Sequence, residues 1–133
     1  MTIDNLRPEI LWAVEAAQEK QAVDITVLKL TGAFAEYFLV CSGQSTPQLQ
    51  AISDAIEEKL GRQRMRLAHR EGKIGSEWVL LDFGSLVVHI FSDRARQFYD
   101  LERLWRTAER ADFPASERSA KPRDQSEGGT TEA

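Results

Sequence analysis

The sequence holds two histidines, one cysteine and several carboxylates that could take part in acid–base or nucleophilic chemistry. The candidate acid–base pair is Asp82 with His89. If the two residues lie on adjacent strands of a hairpin, they are diagonal neighbours about 7 Å apart at Cα, so a long side chain can bridge them. A catalytic dyad also needs a cleft and a third group. We therefore favour a structural or interface role for this pair over catalysis.

Other signatures of catalysis are absent from the sequence. Neither histidine combines with Cys41 in a recognised metal-binding spacing. The sequence contains no phosphate-binding loop, no Gly-x-Gly-x-x-Gly and no Gly-x-Ser-x-Gly elbow. Cys41 ends the apolar run 37–41, which favours a buried strand thiol over a reactive one. We expect no catalytic residue, no metal and no cofactor.

Composition limits the class of protein and its partners. The chain has 133 residues, which fits one domain, and a formal net charge of −4. An acidic chain is a poor general binder of DNA or RNA, because phosphate binding needs a basic surface. The single cysteine indicates a reducing compartment. No apolar run reaches the ~20 residues of a membrane span, and no signal peptide is evident. We expect a soluble, cytoplasmic protein with no membrane partner.

The element that positions the acid–base pair is a predicted hairpin over residues 78–91. Its two-residue turn, Gly84-Ser85, suits type II′ geometry because glycine takes the first turn position. Side chains alternate between the two faces of a strand. One face is then wholly apolar and is the predicted core face: Val79, Leu81, Phe83, Leu86, Val88 and Ile90. The second face is mixed: Trp78, Leu80, Asp82, Val87, His89 and Phe91.

This second face has two interpretations. It could lie under a helix in a sheet that is covered on both sides. It could instead bind a protein partner. Asp82 opposes full burial, because carboxylates are seldom buried without a partner. Aromatic anchors beside polar groups, such as Trp78, are typical of interface hot spots.

The remaining pattern predicts an α/β domain with a small mixed sheet flanked by helices. The run 37–41 is apolar on both faces and should be a central strand. The last helix should turn Phe98, Leu101, Leu104 and Trp105 inward. The other predicted elements are a helix over 7–22, a strand over 24–30, a turn at Gly32, a helix from Ser45 or Thr46 to Gly61, a weaker strand over 65–69, a loop over 71–77, and the last helix capped by Ser92 or Asp93.

The composition changes near Asp112, where polar residues, proline and glycine replace most large apolar residues. Such a segment cannot bury enough apolar surface to offset its ordering entropy. We expect a domain over residues 1–111 and a disordered tail over residues 112–133.

A basic cluster lies between the second helix and the hairpin. It comprises Arg62, Arg64, Arg66, His69, Arg70 and Lys73. It is either a solvated strand and loop or a contact to an RNA backbone. Four neighbouring glutamates dilute its field: Glu57, Glu58, Glu71 and Glu77. No aromatic residue is interleaved with the cluster, so base stacking is not indicated.

A set of short segments in fixed order spans much of the chain. They are Asp24-Ile25, the run 37–43 (Tyr-Phe-Leu-Val-Cys-Ser-Gly), Gln48, Glu71-Gly72, the run 78–84 (Trp-Val-Leu-Leu-Asp-Phe-Gly), the run 87–91 (Val-Val-His-Ile-Phe) and the run 96–105 (Arg-Gln-Phe-Tyr-Asp-Leu-Glu-Arg-Leu-Trp). In this order and spacing they resemble the Iojap-related ribosomal silencing factor family over most of residues 8–106. No one segment would be specific alone.

The resemblance implies a non-enzymatic regulator of translation. Members of the family bind the large ribosomal subunit through its protein L-fourteen and hinder joining of the small subunit when nutrients are short. The family fold resembles nucleotidyltransferases, which hold metal with paired carboxylates on a strand. Here the candidate strands read Asp24-Ile25-Thr26 and Asp82-Phe83-Gly84, so the pairs are missing. A nucleotidyltransferase-like enzyme and an RNA-binding module using the basic cluster are the alternative functions.

The expected partner-binding residues lie mostly on the second face of the hairpin. Trp78 and Phe91 would supply apolar anchoring, Asp82 would pair with a lysine or arginine, and His89 would form a hydrogen bond. The full set is Trp78, Leu80, Asp82, Val87, His89, Phe91 and Tyr99. An exposed apolar face also favours a homodimer of the free protein as a further expectation.

Overall fold

The fold is an α/β domain whose helices flank a mixed sheet, as the sequence predicted. A computed structural model describes residues 6–31, 35–104 and 106–116. Within these ranges the elements are α1 (Pro8–Glu19), β1 (Val23–Lys29), β2 (Tyr37–Gly43), α2 (Thr46–Arg62), β3 (His69–Glu71), β4 (Trp78–Asp82), β5 (Leu86–Ser92), α3 (Asp93–Tyr99), α4 (Leu101–Leu104) and β6 (Glu109–Phe113). In these ranges no helix is long and apolar enough to cross a membrane.

The strands form one sheet in the order β3-β4-β5-β2-β1-β6. β2 and β5 run parallel, whereas the other neighbouring strands are antiparallel. Every residue of β2 is buried. This confirms the central position predicted from its apolar run, because a strand paired on both sides and covered on both faces has little contact with water.

The hairpin has the predicted register. Trp78 lies opposite Phe91, and the amide of Phe83 donates to the carbonyl of Leu86 at 2.8 Å. Gly84 has φ +92°, which glycine adopts without the steric cost that a side chain would bring. All six residues of the predicted core face are buried: Val79, Leu81, Phe83, Leu86, Val88 and Ile90.

Helices α1 and α2 cover the core face of the sheet. Ser45 caps α2, since its hydroxyl accepts a hydrogen bond from the amide of Gln48 at 3.2 Å. The buried side of α2 is the predicted apolar stripe, with Ser53 in addition: Leu49, Ile52, Ser53, Ile56 and Leu60. The helix does not stop at Gly61 as predicted but continues to Arg62. Its end is closed by Arg64, which takes a left-handed φ of +66°.

Two predicted elements are shifted or divided. The strand expected over 65–69 is instead β3, His69–Glu71, because Met65 and Leu67 turn toward the core before strand pairing begins. The last helix is divided at Asp100, which has φ +44°. Phe98 lies in α3 before this break and is 78% exposed, so its predicted inward orientation is wrong: α3 buries Ala95 instead. The predictions for the side chains of Leu104 and Trp105 and for the turn at Gly32 fall outside the described residues.

The strand β6 was not predicted from the sequence. It pairs with β1 in an antiparallel register that places Thr26 opposite Asp112. The Thr26 hydroxyl donates to the Asp112 carboxylate at 2.8 Å, and Phe113 packs against the core. β6 therefore extends two residues beyond the predicted boundary at Ala111, and residues 117–133 of the predicted tail lie outside the described residues.

Candidate partner-binding face

The second face of the hairpin changes character from one strand to the other. On β5, Val87, His89 and Phe91 are buried, and Phe91 has no exposed surface. On β4, Trp78, Leu80 and Asp82 are each partly exposed. The two interpretations of the sequence thus apply to different strands, since β5 is covered and β4 keeps contact with solvent.

A second apolar cluster explains why β5 is covered. Helix α3 packs against β5 and β2 and adds Ala95 to this cluster. The buried members are Leu28, Leu30, Ala35, Phe38, Val40, Val87, Phe91 and Ala95. Trp78, Leu80 and Leu101 pack on its border. Phe91 is therefore a support beneath Trp78 and not a direct anchor, because no part of its side chain reaches the surface.

Aromatic rings extend from this cluster to the surface. The Trp78 ring lies 5.0 Å from Phe91 and 4.5 Å from Tyr99, measured between centroids. Phe98 meets Tyr99 edge-on at 5.0 Å. Tyr99 is 47% exposed, and Phe98 is the more exposed of the two. We call Trp78, Leu80, Phe98 and Tyr99 the aromatic surface. Centroid distances of 4.5–7 Å are favourable for ring pairs, so the rings hold one another in place.

The orientation of Trp78 is fixed by His89. The indole Nε1 of Trp78 donates to Nδ1 of His89 at 3.1 Å. Because the indole N–H is only a donor, His89 must be neutral and carry its proton on Nε2. Burial of the imidazole lowers its pKa to about 4. Nε2 has no hydrogen-bond partner among the described residues.

Asp82 and His89 do not form a dyad. The Asp82 carboxylate accepts a hydrogen bond from the amide of Gly84 at 2.8 Å and so stabilises the hairpin turn. Nδ1 of His89 is occupied by Trp78. A carboxylate that stabilises a turn and a buried neutral imidazole leave no base poised for catalysis, which fits the structural or interface role preferred from the sequence.

The border of the face carries paired charges. Glu77 accepts hydrogen bonds from Arg94 and from the Ser92 hydroxyl, and these contacts lower its pKa. His69 Nε2 and the Glu71 carboxylate on β3 form a hydrogen bond at 2.8 Å. Because β3 pairs with β4, His69 lies opposite Asp82, and the face continues onto the edge strand.

The candidate metal carboxylates of a nucleotidyltransferase are far apart. Asp24 is on β1 and Asp82 is on β4, with two strands between them. Strands are ~4.8 Å apart, so these carboxylates are on strands separated by about 14 Å. They cannot hold one metal ion together. No group of three or more potential metal ligands occurs in the part of the chain that the structure describes.

A polar cavity of about 800 Å³ lies beside Asp24, near the start of β1. Arg96 spans it and donates to the carbonyl of Asp24, to the Ser42 hydroxyl and to Glu102. These contacts connect α3 to β1, β2 and α4. Cys41, next to Ser42 on β2, belongs to the main core, where burial raises the pKa of its thiol to about 12, in keeping with the inert thiol predicted from the sequence.

Fold and site together define a small α/β domain with an aromatic surface on one half of a hairpin and no assembled catalytic group among the described residues. Residues 4–133 match the family model described as ribosomal silencing factor during starvation. The chain belongs to this ribosomal silencing factor family, as its sequence motifs suggested.

Individual relatives agree with this assignment. A ribosomal silencing factor of Bacillus subtilis is 39% identical over 103 residues, covering 76% of this chain and 87% of the relative. A mouse protein named for mitochondrial assembly of the ribosomal large subunit is 31% identical over 97 residues, which are 69% of this chain and 42% of that protein. A crystal structure of a Chromobacterium violaceum protein superposes with a TM-score of 0.71 at 30% identity, covering 77% and 87% of the two chains.

Phe98 was not predicted from the sequence to be a surface residue. In one continuous helix, Phe98 would share a side with Leu101. Asp100 interrupts the helix and separates these two residues. The sequence signal for this break was Asp100 itself, since aspartate adopts the left-handed conformation that ends a helix more readily than most residues.

Proposed function

We propose that this protein represses translation by binding the large ribosomal subunit through ribosomal protein L-fourteen and blocking the small subunit from joining. Membership of the silencing factor family supports a ribosomal role. The name of the mouse relative points to the large subunit. The mechanism is occupancy of a surface, so the protein acts as a regulator and not as an enzyme.

The aromatic surface is the observation that carries this proposal. Phe98 is 78% exposed although it is among the most apolar side chains. Trp78 and Tyr99 lie against one another beside it. Rigid aromatic groups of this kind bury a large area with little loss of conformational entropy, and they dominate interface energetics. We infer that this surface is the docking site.

The residues predicted from the sequence then have two kinds of role. Trp78, Leu80 and Tyr99 would contact the partner directly. Val87, His89 and Phe91 would support those side chains from below, because they are buried. The Asp82 carboxylate retains acceptor capacity after its bond to Gly84, and it could pair with a lysine or arginine of a basic ribosomal protein.

The test is cosedimentation with purified large subunits, followed by a subunit-joining assay. Trp78→Ala should weaken binding by at least tenfold, because a central aromatic hot spot contributes about 2 kcal/mol or more. Leu11→Ala is the matched control, since Leu11 is 41% exposed on α1 on the other side of the sheet. If Trp78→Ala binds large subunits as tightly as wild type does, the aromatic surface is not the docking site. A bound wild-type protein that leaves subunit joining unchanged would refute the blocking mechanism.

The same surface could be buried in a homodimer of the free protein. Such a dimer would compete with ribosome binding, because both would cover Trp78 and Tyr99. Sedimentation velocity across a concentration series should show self-association that Phe98→Ala weakens. A sedimentation coefficient of a monomer at every concentration would refute the homodimer. The proposal of ribosome binding would not be affected.

A further inference from the structure

The structure divides the basic cluster into neutralised and free cations. Arg62 pairs with Glu58 at 3.4 Å. Arg70 turns toward α2 and pairs with Asp54 at 3.1 Å and Glu57 at 2.7 Å. Arg70 is thus held against α2 by two carboxylates, whereas Arg62 has one exposed helical ion pair.

Arg64 and Arg66 have no such compensation. Both are exposed, and neither has an ion-pair or hydrogen-bond partner through its side chain among the described residues. Of the four glutamates near the cluster, three are paired with an arginine, and Glu71 is hydrogen-bonded to His69. The pairs are Glu57–Arg70, Glu58–Arg62, Glu71–His69 and Glu77–Arg94. Within the described residues, Arg64 and Arg66, two residues apart, therefore carry unpaired positive charge on a protein with a formal net charge of −4, as does the exposed Lys73 later in the cluster.

The local fold holds these two arginines at the surface. Met65 and Leu67 pack against the core, and Arg64 and Arg66 alternate with them. Because Met65 and Leu67 are packed against the core, the backbone that carries Arg64 and Arg66 has restricted freedom. Arg64 also takes the left-handed position that closes α2, where glycine is the common residue. Arg64 therefore has a backbone conformation that costs more for arginine than for glycine.

The arginine pair adjoins the docking site. Two residues after Arg66, the amide of Ala68 donates to the carbonyl of Asp82 at 2.7 Å. Asp82 borders the aromatic surface through its neighbour Leu80 on β4. When a ribosomal protein binds the aromatic surface, the parts of the subunit next to that protein would therefore lie close to Arg64 and Arg66.

We propose that Arg64 and Arg66 bind the phosphate backbone of ribosomal RNA beside the docking site. This inference rests on the proposed function, since it takes the large subunit as the partner. Arginine suits phosphate because its planar guanidinium can donate two parallel hydrogen bonds. No aromatic side chain alternates with the pair, so the contact would be to the backbone and independent of base sequence.

The test is the salt dependence of binding to large subunits between 50 and 200 mM KCl. Each phosphate contact contributes roughly 0.7 to 0.9 to the slope of log K against log salt. The variant R64Q/R66Q should reduce this slope by about 1.5 and weaken binding on the order of tenfold at low salt. The matched control is K20Q/K29Q, because Lys20 and Lys29 are exposed cations elsewhere on the protein. The control should behave as wild type.

A photo-crosslinking residue at the exposed position Ala68 then identifies the neighbour on the bound subunit. Crosslinks to RNA, together with the reduced slope, support the proposal. Crosslinks to protein alone, or an R64Q/R66Q slope equal to that of wild type, overturn it while ribosome binding stands. Wild-type protein that does not bind large subunits overturns the proposed function and this inference together.

Discussion

The Trp78 indole donates a hydrogen bond to His89 across the hairpin, at 3.1 Å. One residue is half-buried and the other is buried, so the bond connects the surface to the interior. It also fixes which nitrogen of the imidazole carries the proton. The stability of the fold and the orientation of the Trp78 ring thus depend on the same neutral side chain.

The buried imidazole should make stability depend on pH. Burial lowers the pKa of His89 to about 4, against about 6.5 in the unfolded chain, so between these values only the unfolded state binds the proton. Stability is complete above about pH 6.5 and falls as the pH decreases toward 4. We expect the free energy of unfolding to fall by about 2 kcal/mol between pH 7 and 5 from this residue alone.

Urea unfolding at pH 7 and pH 5 measures this effect. His89→Phe or His89→Gln should lose the extra pH dependence, whereas His69→Gln should retain it because His69 is exposed. The same pH dependence in wild type and both His89 variants would show that other groups cause it.

Two glycines should respond to alanine in opposite directions. Gly84 has φ +92°, and no atom lies within 4 Å of the point where a methyl group would stand, so Gly84→Ala brings backbone strain alone. We expect a loss of about 1 to 2 kcal/mol. Gly61 lies within α2, also in open space, so Gly61→Ala should stabilise the fold by up to about 1 kcal/mol. Thermal unfolding of the two variants and of wild type measures both changes in stability. A Gly84→Ala variant as stable as wild type would contradict the turn geometry.

Arg64→Gly should stabilise the protein and weaken its ribosome binding. Glycine adopts φ +66° without strain, so the expected gain is about 1 kcal/mol. Gln21 offers a matched control, because it closes α1 with the same φ of +66°. Gln21→Gly should give a similar gain and leave binding unchanged. Urea unfolding and subunit binding are measured on both variants; a loss of binding in both, or in neither, would show that the Arg64 charge is not used.

The Cys41 thiol should be inert in the folded protein. Burial raises its pKa to about 12, so almost no thiolate exists at pH 8. We expect a disulfide reagent to modify Cys41 only as the chain unfolds, with a rate that rises with urea. An added thiol at the exposed position Gln63 should react at once. Two thiols of equal reactivity in Gln63→Cys would contradict the burial of Cys41.

The hairpin could be predicted from the sequence because its determinants are local. Alternating apolar residues and a two-residue turn specify the pairing of Trp78 with Phe91 without reference to the rest of the chain. The same alternation separates the mixed face from the core face. The division of that mixed face into a covered half and an exposed half depends on how α3 packs back against β5 and β2, which the hairpin pattern does not specify.

The features that were not predicted depend on contacts between distant residues. The break at Asp100 accompanies the pairing of Arg96 with Glu102, Ser42 and Asp24, which no helical spacing indicates. Strand β6 is short and half polar, and its pairing with β1 gives Asp112 a partner in Thr26. The exposure of Phe98 depends on how α3 packs on the sheet, since this helix buries Ala95 and leaves the Phe98 ring outside.

Both outer strands of the sheet are short and rich in charge. β3 is His69–Glu71, and β6 carries Glu109, Arg110 and Asp112. An unpaired strand edge is a template for aggregation, and brief charged strands are poor templates. A chain that ended at Ala111 would lose the last part of β6 and uncover Ile25 and Thr26 on β1. We expect that shortened chain to precipitate during expression, so the last residues of β6 would keep the sheet edge from aggregating.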